Sequence, residues 1–289
     1  MELINYKNKA DGFTPIRLTN HEFNRLSVFI ENKYGIRMPI SKKSMLQGRL
    51  QKRLKALNIS DFKTYNDYLF SVEGLSNELS NMIDEVSTNK TDFFREKIHF
   101  DFLTSDGLKQ YLNDNRKNNL SVWSAACSSG EEPYSISITL NEYKAIHRNI
   151  DFQILGTDIS NKMISFAQKG IYGMDKASAI PQNLLKKYFL RGKNQYTNKV
   201  KVKDILKNNV VFKDFNLLSA NYHKAGKHDI IFCRNVLIYF DQNLQYRVLR
   251  NLCQQLRPGG YLFLGHTESI IGFSLPLIQV KPSIFIRTA

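Results

Sequence analysis

The chain has few cysteines and prolines and no long apolar run. Its 289 residues include three cysteines, seven prolines and one tryptophan. The cysteines, Cys127, Cys233 and Cys253, lie in apolar segments and form no C-x-x-C pair, which excludes a disulfide framework and indicates a reducing compartment. No window approaches the roughly 18 apolar residues that a membrane-spanning helix needs. Because Met1–Lys9 also lacks the apolar core of a signal peptide, we expect a cytoplasmic protein without membrane insertion.

Acidic residues are scarce relative to basic ones. The chain has 26 Asp and Glu against 41 Lys and Arg, which gives a formal net charge of +15. This balance indicates an acidic partner, and the charge alone does not choose among nucleic acid, an anionic membrane and an acidic protein surface. The six histidines show no metal-ligand spacing, so the sequence predicts no metal site: His21, His99, His147, His223, His228 and His266.

Residues 1–87 have the pattern of a small helical domain. Thr19–Glu22 has the form of a capping box and predicts a helix over Phe23–Tyr34. Lys42–Leu57 carries leucines at helical spacing and predicts a second helix, with a basic flank beside its apolar stripe. We expect Ser60 to cap a third helix and Leu75–Val86 to form a fourth. The basic flank consists of Lys42, Arg49, Lys52 and Arg53.

From Leu120 to the end of the chain, strand and helix patterns alternate, after a linker over residues 88–119. This alternation predicts an α/β domain with a mostly parallel, doubly wound sheet. We expect Pro258–Gly260 to form a turn before the last core strand, and Leu277–Ile286 to form a final hairpin. A Lys-rich segment at about 181–207 predicts a small inserted subdomain. The predicted strands are Leu120–Cys127, Phe152–Asp158, Val210–Phe215, Asp229–Cys233 and Tyr261–Gly265, and the predicted helices are Glu132–His147, Asn161–Lys169 and Gln242–Leu256.

The segment Val122–Tyr134 (VWSAACSSGEEPY) is the most informative part of the sequence. It predicts a buried strand, then a loop of small residues, then a helix that begins near Glu131 with Pro133 in its first turn. In an α/β protein, the first strand-to-helix turn is where a nucleotide-like ligand binds. Carboxylates at this turn would repel phosphate. The loop therefore predicts a ligand that has no phosphate and carries positive charge.

Other candidate ligand residues follow later strands of the predicted sheet. Asp158 ends the second strand, where an acid can accept hydrogen bonds from both ribose hydroxyls. Asp214–Leu218 (DFNLL) ends the third strand and offers an amide and apolar side chains for the edge and face of an adenine. Phe232–Asp241 (FCRNVLIYFD) ends the fourth strand, at the position that faces the reacting centre.

Several motifs together resemble the chemotaxis receptor methyltransferases of the CheR type. They are Asn89–Glu96 (NKTDFFRE), Trp123–Ser135, Phe232–Asp241 and Leu256–Glu268 (LRPGGYLFLGHTE), in that order. The resemblance extends from the basic helix to the final strand. It implies a Rossmann-like S-adenosylmethionine-dependent fold, S-adenosylmethionine as cofactor, and methyl-esterification of glutamate side chains on chemoreceptors.

The resemblance also implies roles for particular residues. Glu131 would hold the amino-acid end of the cofactor and Asp158 the ribose. Arg95 would contact the cofactor and, with Tyr239, orient the incoming carboxylate. The remaining residues implied to line the cofactor pocket are Asn89, Thr91, Asn216, Leu217, Arg234 and Asn235.

The sequence allows two alternative roles for each of two surfaces. The basic flank is either a solvated helix face or, as the resemblance implies, a surface that docks onto the acidic helical bundle of a receptor. The inserted segment is either a solvated surface or a subdomain that binds a receptor's C-terminal peptide by strand addition. Nothing in the sequence requires more than a monomer.

Three other functions fit the sequence less well than a receptor methyltransferase. A nucleic-acid amino-methyltransferase should carry an Asn/Asp-Pro-Pro-aromatic motif after the fourth strand, where this chain has Arg234–Tyr239. A non-catalytic cofactor sensor is disfavoured by the intact Glu131, Asp158, Arg234 and Asn235. An NAD-linked oxidoreductase would need a G-x-G-x-x-G motif after the first strand, which is missing.

Overall fold

The computed structural model describes residues 16–115, 118–147 and 150–288. These residues form two compact units. The first comprises the described residues up to Ile30 together with Met38–Val86, and the second comprises Glu31–Arg37 together with the described residues from Ser87 onwards. No helix in these ranges is long and apolar enough to cross a membrane.

The α-helices and β-strands are numbered in chain order. The helices are α1 (Asn20–Tyr34), α2 (Lys43–Ala56), α3 (Phe62–Leu69), α4 (Val72–Asn77), α5 (Leu79–Val86), α6 (Ile98–Phe102), α7 (Leu108–Asn115), α8 (Glu131–His147), α9 (Asn161–Lys169), α10 (Met174–Ala177), α11 (Gln182–Tyr188), α12 (Asp204–Lys207) and α13 (Gln242–Gln255). The strands are β1 (Asn119–Ala125), β2 (Asp151–Asp158), β3 (Ile171–Gly173), β4 (Phe189–Arg191), β5 (Lys199–Val202), β6 (Val210–Asp214), β7 (His228–Cys233), β8 (Leu256–Leu264), β9 (Leu277–Lys281) and β10 (Ile284–Arg287).

The first unit is helical, as the sequence predicts. The capping box at the start of α1 is confirmed: the Thr19 N–H donates to Glu22 Oε2 (2.7 Å), and the Glu22 N–H donates to Thr19 Oγ1 (3.3 Å). The leucine stripe of α2 is buried at Leu46, Leu50 and Leu54. Helix packing in this unit therefore follows the apolar periodicity.

Two helix predictions in the first unit are wrong in detail. Asp61, and not Ser60, caps α3, because the Asp61 carboxylate accepts a hydrogen bond from the Thr64 N–H (2.8 Å). The predicted single helix Leu75–Val86 is divided into α4 and α5 at Glu78. The carboxylate of Glu78 is buried and binds the Arg53 guanidinium.

The second unit contains a seven-stranded sheet in the order β6-β2-β1-β7-β8-β10-β9. The pairs from β6 to β8 are parallel, and β8, β10 and β9 pair antiparallel, so the mostly parallel sheet and the final hairpin are both confirmed. Successive side chains of β1 and β7 alternate between two buried layers: Val122 and Ile230 belong to one, Trp123 and Ile231 to the other. Both faces of the sheet are therefore covered, and apolar side chains of these strands are buried on each face.

The predicted turn at Pro258–Gly260 lies within a strand instead. Leu256 pairs with His228 and Tyr261 pairs with Ile230, so the intervening residues of β8 bulge out of register. Gly259 has φ 74°, a left-handed conformation that glycine adopts without steric cost.

A smaller three-stranded antiparallel sheet has the order β3-β5-β4. It forms the small β insertion, and it begins earlier than the predicted limits of about 181–207, because β3 (Ile171–Gly173) pairs with β5. A three-residue strand such as β3 carries too little periodicity to be found in the sequence.

Candidate active site at the carboxyl edge of the sheet

The loop that follows β1 is held in an unusual conformation. Ala126, Ser128 and Gly130 have φ values of 74°, 50° and 96°, so left-handed residues alternate along it. The N–H groups of Ala126 and Cys127 both donate to the Thr157 carbonyl, at 2.8 and 2.7 Å. A Cβ on Gly130 would lie 2.7 Å from the Ala167 Cβ. A positive φ is energetically costly for a residue other than glycine, and such residues concentrate at ligand sites.

Glu131, the first residue of α8, carries a buried carboxylate. Glu131 is 2% exposed, and its Oε2 accepts a hydrogen bond from Ser129 Oγ (2.7 Å). Burial raises the pKa of Glu131 above its usual value. Within residues 16–115, 118–147 and 150–288, no Lys or Arg forms an ion pair with it. The charge of Lys176 acts to lower this pKa but forms no ion pair with Glu131, so the buried carboxylate favours a positively charged ligand.

Asp158 ties the loop to the end of β2. Its Oδ2 accepts a hydrogen bond from the Ser128 N–H (2.8 Å), and its Oδ1 accepts one from the Ser160 N–H (2.9 Å). Each carboxylate oxygen can accept more than one hydrogen bond. Asp158 therefore has a structural role in this loop in addition to the ribose contact that the sequence predicts.

The linker segment Asn89–Glu96 lies against the same loop. Ser128 Oγ donates to the Asn89 carbonyl (2.9 Å), and Lys176 Nζ donates to the Thr91 carbonyl (2.7 Å). Arg95 is half-buried, and its guanidinium donates to the Lys90 carbonyl (3.0 Å). Of the linker residues predicted from the sequence, Asn89 thus contacts the β1–α8 loop through its backbone carbonyl, Thr91 contacts α10, and Arg95 contacts the linker itself.

Arg234, at the end of β7, lies between two carboxylates that the sequence analysis did not single out. Its side chain is 2% exposed and forms ion pairs of 2.9 Å with both Glu96 and Glu132. Burial acts to raise the pKa of Glu96, but the Arg234 guanidinium and further hydrogen bonds hold that pKa below its usual value. For Glu132, burial outweighs Arg234 and raises the pKa. The guanidinium is therefore fully engaged by protein groups, and the contact of Arg234 with the cofactor stays a prediction.

Glu268 fixes the loop that follows Arg234. Its two carboxylate oxygens accept hydrogen bonds from the N–H groups of Gly265 (2.7 Å), Asn235 (2.9 Å), Val236 (2.8 Å) and Leu237 (2.7 Å). Asn235 has φ 58°, and a Cβ on Gly265 would lie 2.5 Å from the Asn235 Nδ2. Sequence reasoning missed Glu268, although it stands in the GHTE segment that carries the family resemblance.

The other predicted pocket residues follow β6 and β7. Phe215 N donates to the Asp158 carbonyl (2.9 Å), which brings the segment before Asn216 to the end of β2. Asn216 Oδ1 accepts from the Leu218 N–H (2.8 Å), and Leu217 is buried. Tyr239 is half-buried in a 3-10 turn over Leu237–Tyr239. All of these residues belong to the second unit, at the carboxyl edge of the parallel strands.

The basic flank of α2 belongs to the first unit and is partly engaged there. Arg53 binds Glu78 through two hydrogen bonds of 2.8 and 2.7 Å, and Arg49 donates to the Val86 carbonyl. The Lys52 side chain is 75% exposed and lies 3.6 Å from Glu85. Lys42 is half-buried. Of the four predicted docking residues, Lys52 offers the most exposed charge.

Two protein-family models match this chain. Residues 89–284 match the CheR methyltransferase SAM binding domain, and residues 21–87 match the CheR methyltransferase all-alpha domain. The chain belongs to the CheR methyltransferase family. It is a methyltransferase whose cofactor is S-adenosylmethionine. The buried carboxylate of Glu131 and the small side chains of the β1–α8 loop fit a cofactor that carries positive charge and no phosphate.

Curated CheR relatives match nearly the whole chain. The chemotaxis protein methyltransferase of Borreliella burgdorferi is 38% identical over 262 residues, which cover 89% of this chain and 91% of that protein. The Escherichia coli K12 protein of the same name is 37% identical over 88% of this chain and 86% of its own length. Chemotaxis protein methyltransferase 2 of Pseudomonas aeruginosa is 36% identical over 95% of each chain.

Proposed function

We propose that the chain transfers a methyl group to glutamate side-chain carboxylates of chemoreceptors and forms glutamate methyl esters during chemotaxis adaptation. The observation that carries this proposal is the buried carboxylate of Glu131, which forms no ion pair in the described residues, in a chain of the CheR family. The relatives named above are chemotaxis protein methyltransferases, which supports a chemoreceptor as the substrate.

The residues of the site suffice for this reaction without a general base. S-adenosylmethionine supplies a methyl group on a positively charged sulfur. A glutamate side chain is already an anion at neutral pH, so no residue has to remove a proton from it. The protein's contribution is to hold the reacting groups in line, which is worth up to roughly 7–11 kcal/mol in favourable cases. Excluding water from the acceptor carboxylate would add to this effect.

Arg95 and Tyr239 are our candidates for orienting the acceptor carboxylate. Both are half-buried, and each has a polar group at the end of its side chain that can donate a hydrogen bond to a carboxylate. Arg95 stands in the linker beside Glu96, and Tyr239 stands in the loop that Glu268 fixes. The cofactor contacts proposed from the resemblance are those of Asn89, Thr91, Arg95, Glu131, Asp158, Asn216, Leu217, Arg234 and Asn235.

Receptor recognition is proposed at two surfaces. Helix α2 would meet an acidic receptor bundle through Lys52, with Lys42, Arg49 and Arg53 adding positive charge around it. The insertion exposes β3 and β4 as the edges of its three-stranded sheet, and either edge can pair with an extended receptor peptide. The chain is proposed to act as a monomer in the cytoplasm.

The deciding experiment is transfer of radiolabelled methyl from S-adenosylmethionine to receptor-rich membranes, with base lability of the product as the readout. We expect base-labile label on the receptor bands, and its loss in Asp158→Ala. Cofactor binding without label on receptors would favour a sensor or another acceptor. Label on RNA in a parallel reaction would overturn the proposed substrate.

A further inference from the structure

His99, in α6, is a buried imidazole without a hydrogen bond. It is 0% exposed, and neither Nδ1 nor Nε2 has a hydrogen-bond partner among the described residues. Its ring makes edge contacts with Phe263 and His266, at centroid distances of 5.5 and 5.4 Å. Native proteins rarely leave a buried polar atom unsatisfied, because the lost hydrogen bond costs about 1–3 kcal/mol. Such an atom therefore suggests a ligand that supplies the missing partner.

Two further ligand groups converge on this ring. Glu96 Oε2 lies 3.7 Å from His99 Nδ1 and 3.9 Å from His266 Nε2. One ligand atom from each of the three residues lies within 4.8 Å of the others. The residues come from three places in the second unit: the linker, α6, and the segment that follows β8.

We propose that Glu96, His99 and His266 form a binding site for a divalent transition-metal ion, with Zn²⁺ as the best match. Two imidazoles and one carboxylate are a common three-residue ligand set for zinc, which leaves a fourth position open. Ligand bonds of about 2.0–2.2 Å place tetrahedral ligand atoms roughly 3.3–3.5 Å apart. The separations of 3.7 and 3.9 Å are slightly larger, and the two imidazoles lie within 4.8 Å of each other, so side-chain rotations are needed to close the site.

The surroundings of the three ligands define the site further. Half of the His266 side chain is exposed, which provides a path for an ion to reach the buried His99. The Arg234 guanidinium already binds Glu96 Oε2 at 2.9 Å. Arg234 Nε also donates to this oxygen, at 3.3 Å, so both of its lone pairs are engaged and the ion has to displace the longer contact. The positive charge of Arg234 lowers the affinity for the ion, and the nearby Glu132 carboxylate offsets part of that effect.

The ion would lie beside the proposed cofactor pocket, because Glu96 also accepts a hydrogen bond from Asn235 Nδ2 (3.3 Å). An ion that draws Glu96 towards the two histidines weakens its contacts with Arg234 and Asn235. Occupancy of the site is therefore expected to lower the affinity for S-adenosylmethionine. Binding of the ion itself requires no methyl acceptor, so it can be tested whether or not chemoreceptors are the substrate.

The test is titration of the full-length, tag-free chain with Zn²⁺ against a chromophoric chelator, and with Co²⁺ while the visible absorption is recorded. We expect one Zn²⁺ per chain and a tetrahedral Co²⁺ band. His266→Gln and Glu96→Gln should each weaken Zn²⁺ binding by at least about tenfold. His223→Gln, which replaces an exposed histidine elsewhere in the second unit, is the matched control and should leave binding unchanged.

The buried ligand needs a separate check of folding. His99→Gln should abolish the Co²⁺ band while the circular dichroism spectrum stays that of the unmodified chain. If that variant fails to fold, the exposed His266→Gln variant still decides the question. The proposal is overturned if the chain binds no Zn²⁺, or if Zn²⁺ affinity in His266→Gln and Glu96→Gln equals that of the His223→Gln control.

Discussion

The Glu268 carboxylate makes a strong prediction, because it alone satisfies four backbone N–H groups around the loop after Arg234. Glu268→Gln keeps the shape of the side chain and replaces one carboxylate oxygen with an NH₂ group. One oxygen accepts from Val236 and Leu237 and the other from Gly265 and Asn235, so the substitution leaves two N–H groups facing a donor.

The expected change in the free energy of unfolding follows from two opposing effects. Each buried N–H group without an acceptor costs about 1–3 kcal/mol, which gives roughly 2–6 kcal/mol for two of them. Burial raises the pKa of Glu268, so burying this charge is itself unfavourable, and its removal returns part of that cost. We therefore expect a net loss in the free energy of unfolding on the order of 2–3 kcal/mol.

Trp123 provides the assay, since it is the one tryptophan of the chain and is buried in β1 of the second unit. Urea unfolding followed by its fluorescence should show the loss in Glu268→Gln. Affinity for S-adenosylmethionine should also fall, because Asn235 loses the contact that supports its left-handed conformation. Glu73→Gln, at an exposed position of α4, is the control. If both variants unfold within about 0.5 kcal/mol of the unmodified chain, the role assigned to Glu268 is refuted.

Two further predictions concern a buried histidine and a candidate orienting residue. Burial lowers the pKa of His228 from 6.5 to about 4, so the folded state keeps it neutral while the unfolded chain takes up a proton below pH 6.5. The contribution of neutral His228 to the free energy of unfolding is therefore fully present above pH 6.5 and is lost as the pH falls towards 4. Between pH 7.5 and 5, the unmodified chain should lose about 2 kcal/mol more unfolding free energy than His228→Gln; equal losses in urea unfolding would contradict this. Arg95→Lys should reduce the rate of methyl transfer at least about tenfold, since an ammonium group cannot form the paired hydrogen bonds of a guanidinium. Retention of both cofactor affinity and turnover in that variant would remove Arg95 from the proposed mechanism.

Much of the fold could be predicted because it depends on local periodicity. Helix α9 begins and ends where the pattern predicts, and the bounds of α8 and α13 differ by one residue. Two of the errors occur where a tertiary contact overrides the pattern. Glu78 interrupts the predicted fourth helix and binds Arg53, which lies 25 residues earlier. The Pro258–Gly260 segment has turn-forming residues but bulges within β8, because the flanking residues pair with β7.

The candidate site was predicted in part. The alternation of strands and helices places the segments after β1, β2, β6 and β7 at one edge of the sheet, so Glu131, Asp158 and Asn216 could be selected from their positions alone. The position of a residue along the sequence does not predict which side chains of those segments contact one another. Arg234 is a predicted pocket residue, but its guanidinium lies between Glu96 and Glu132, which precede it by 138 and 102 residues.

The sequence by itself determined the order of strands and helices, the two-part organisation, the small-residue loop with its acids, and the family resemblance. Each of these features depends on residues that are close together in the sequence. Only the tertiary structure decided which charges meet: Arg234 with its two carboxylates, Glu268 with four N–H groups, and His99 with Glu96 and His266. The physical reason is that electrostatic and hydrogen-bonding partners are set by distance in space, which folding determines independently of separation along the chain.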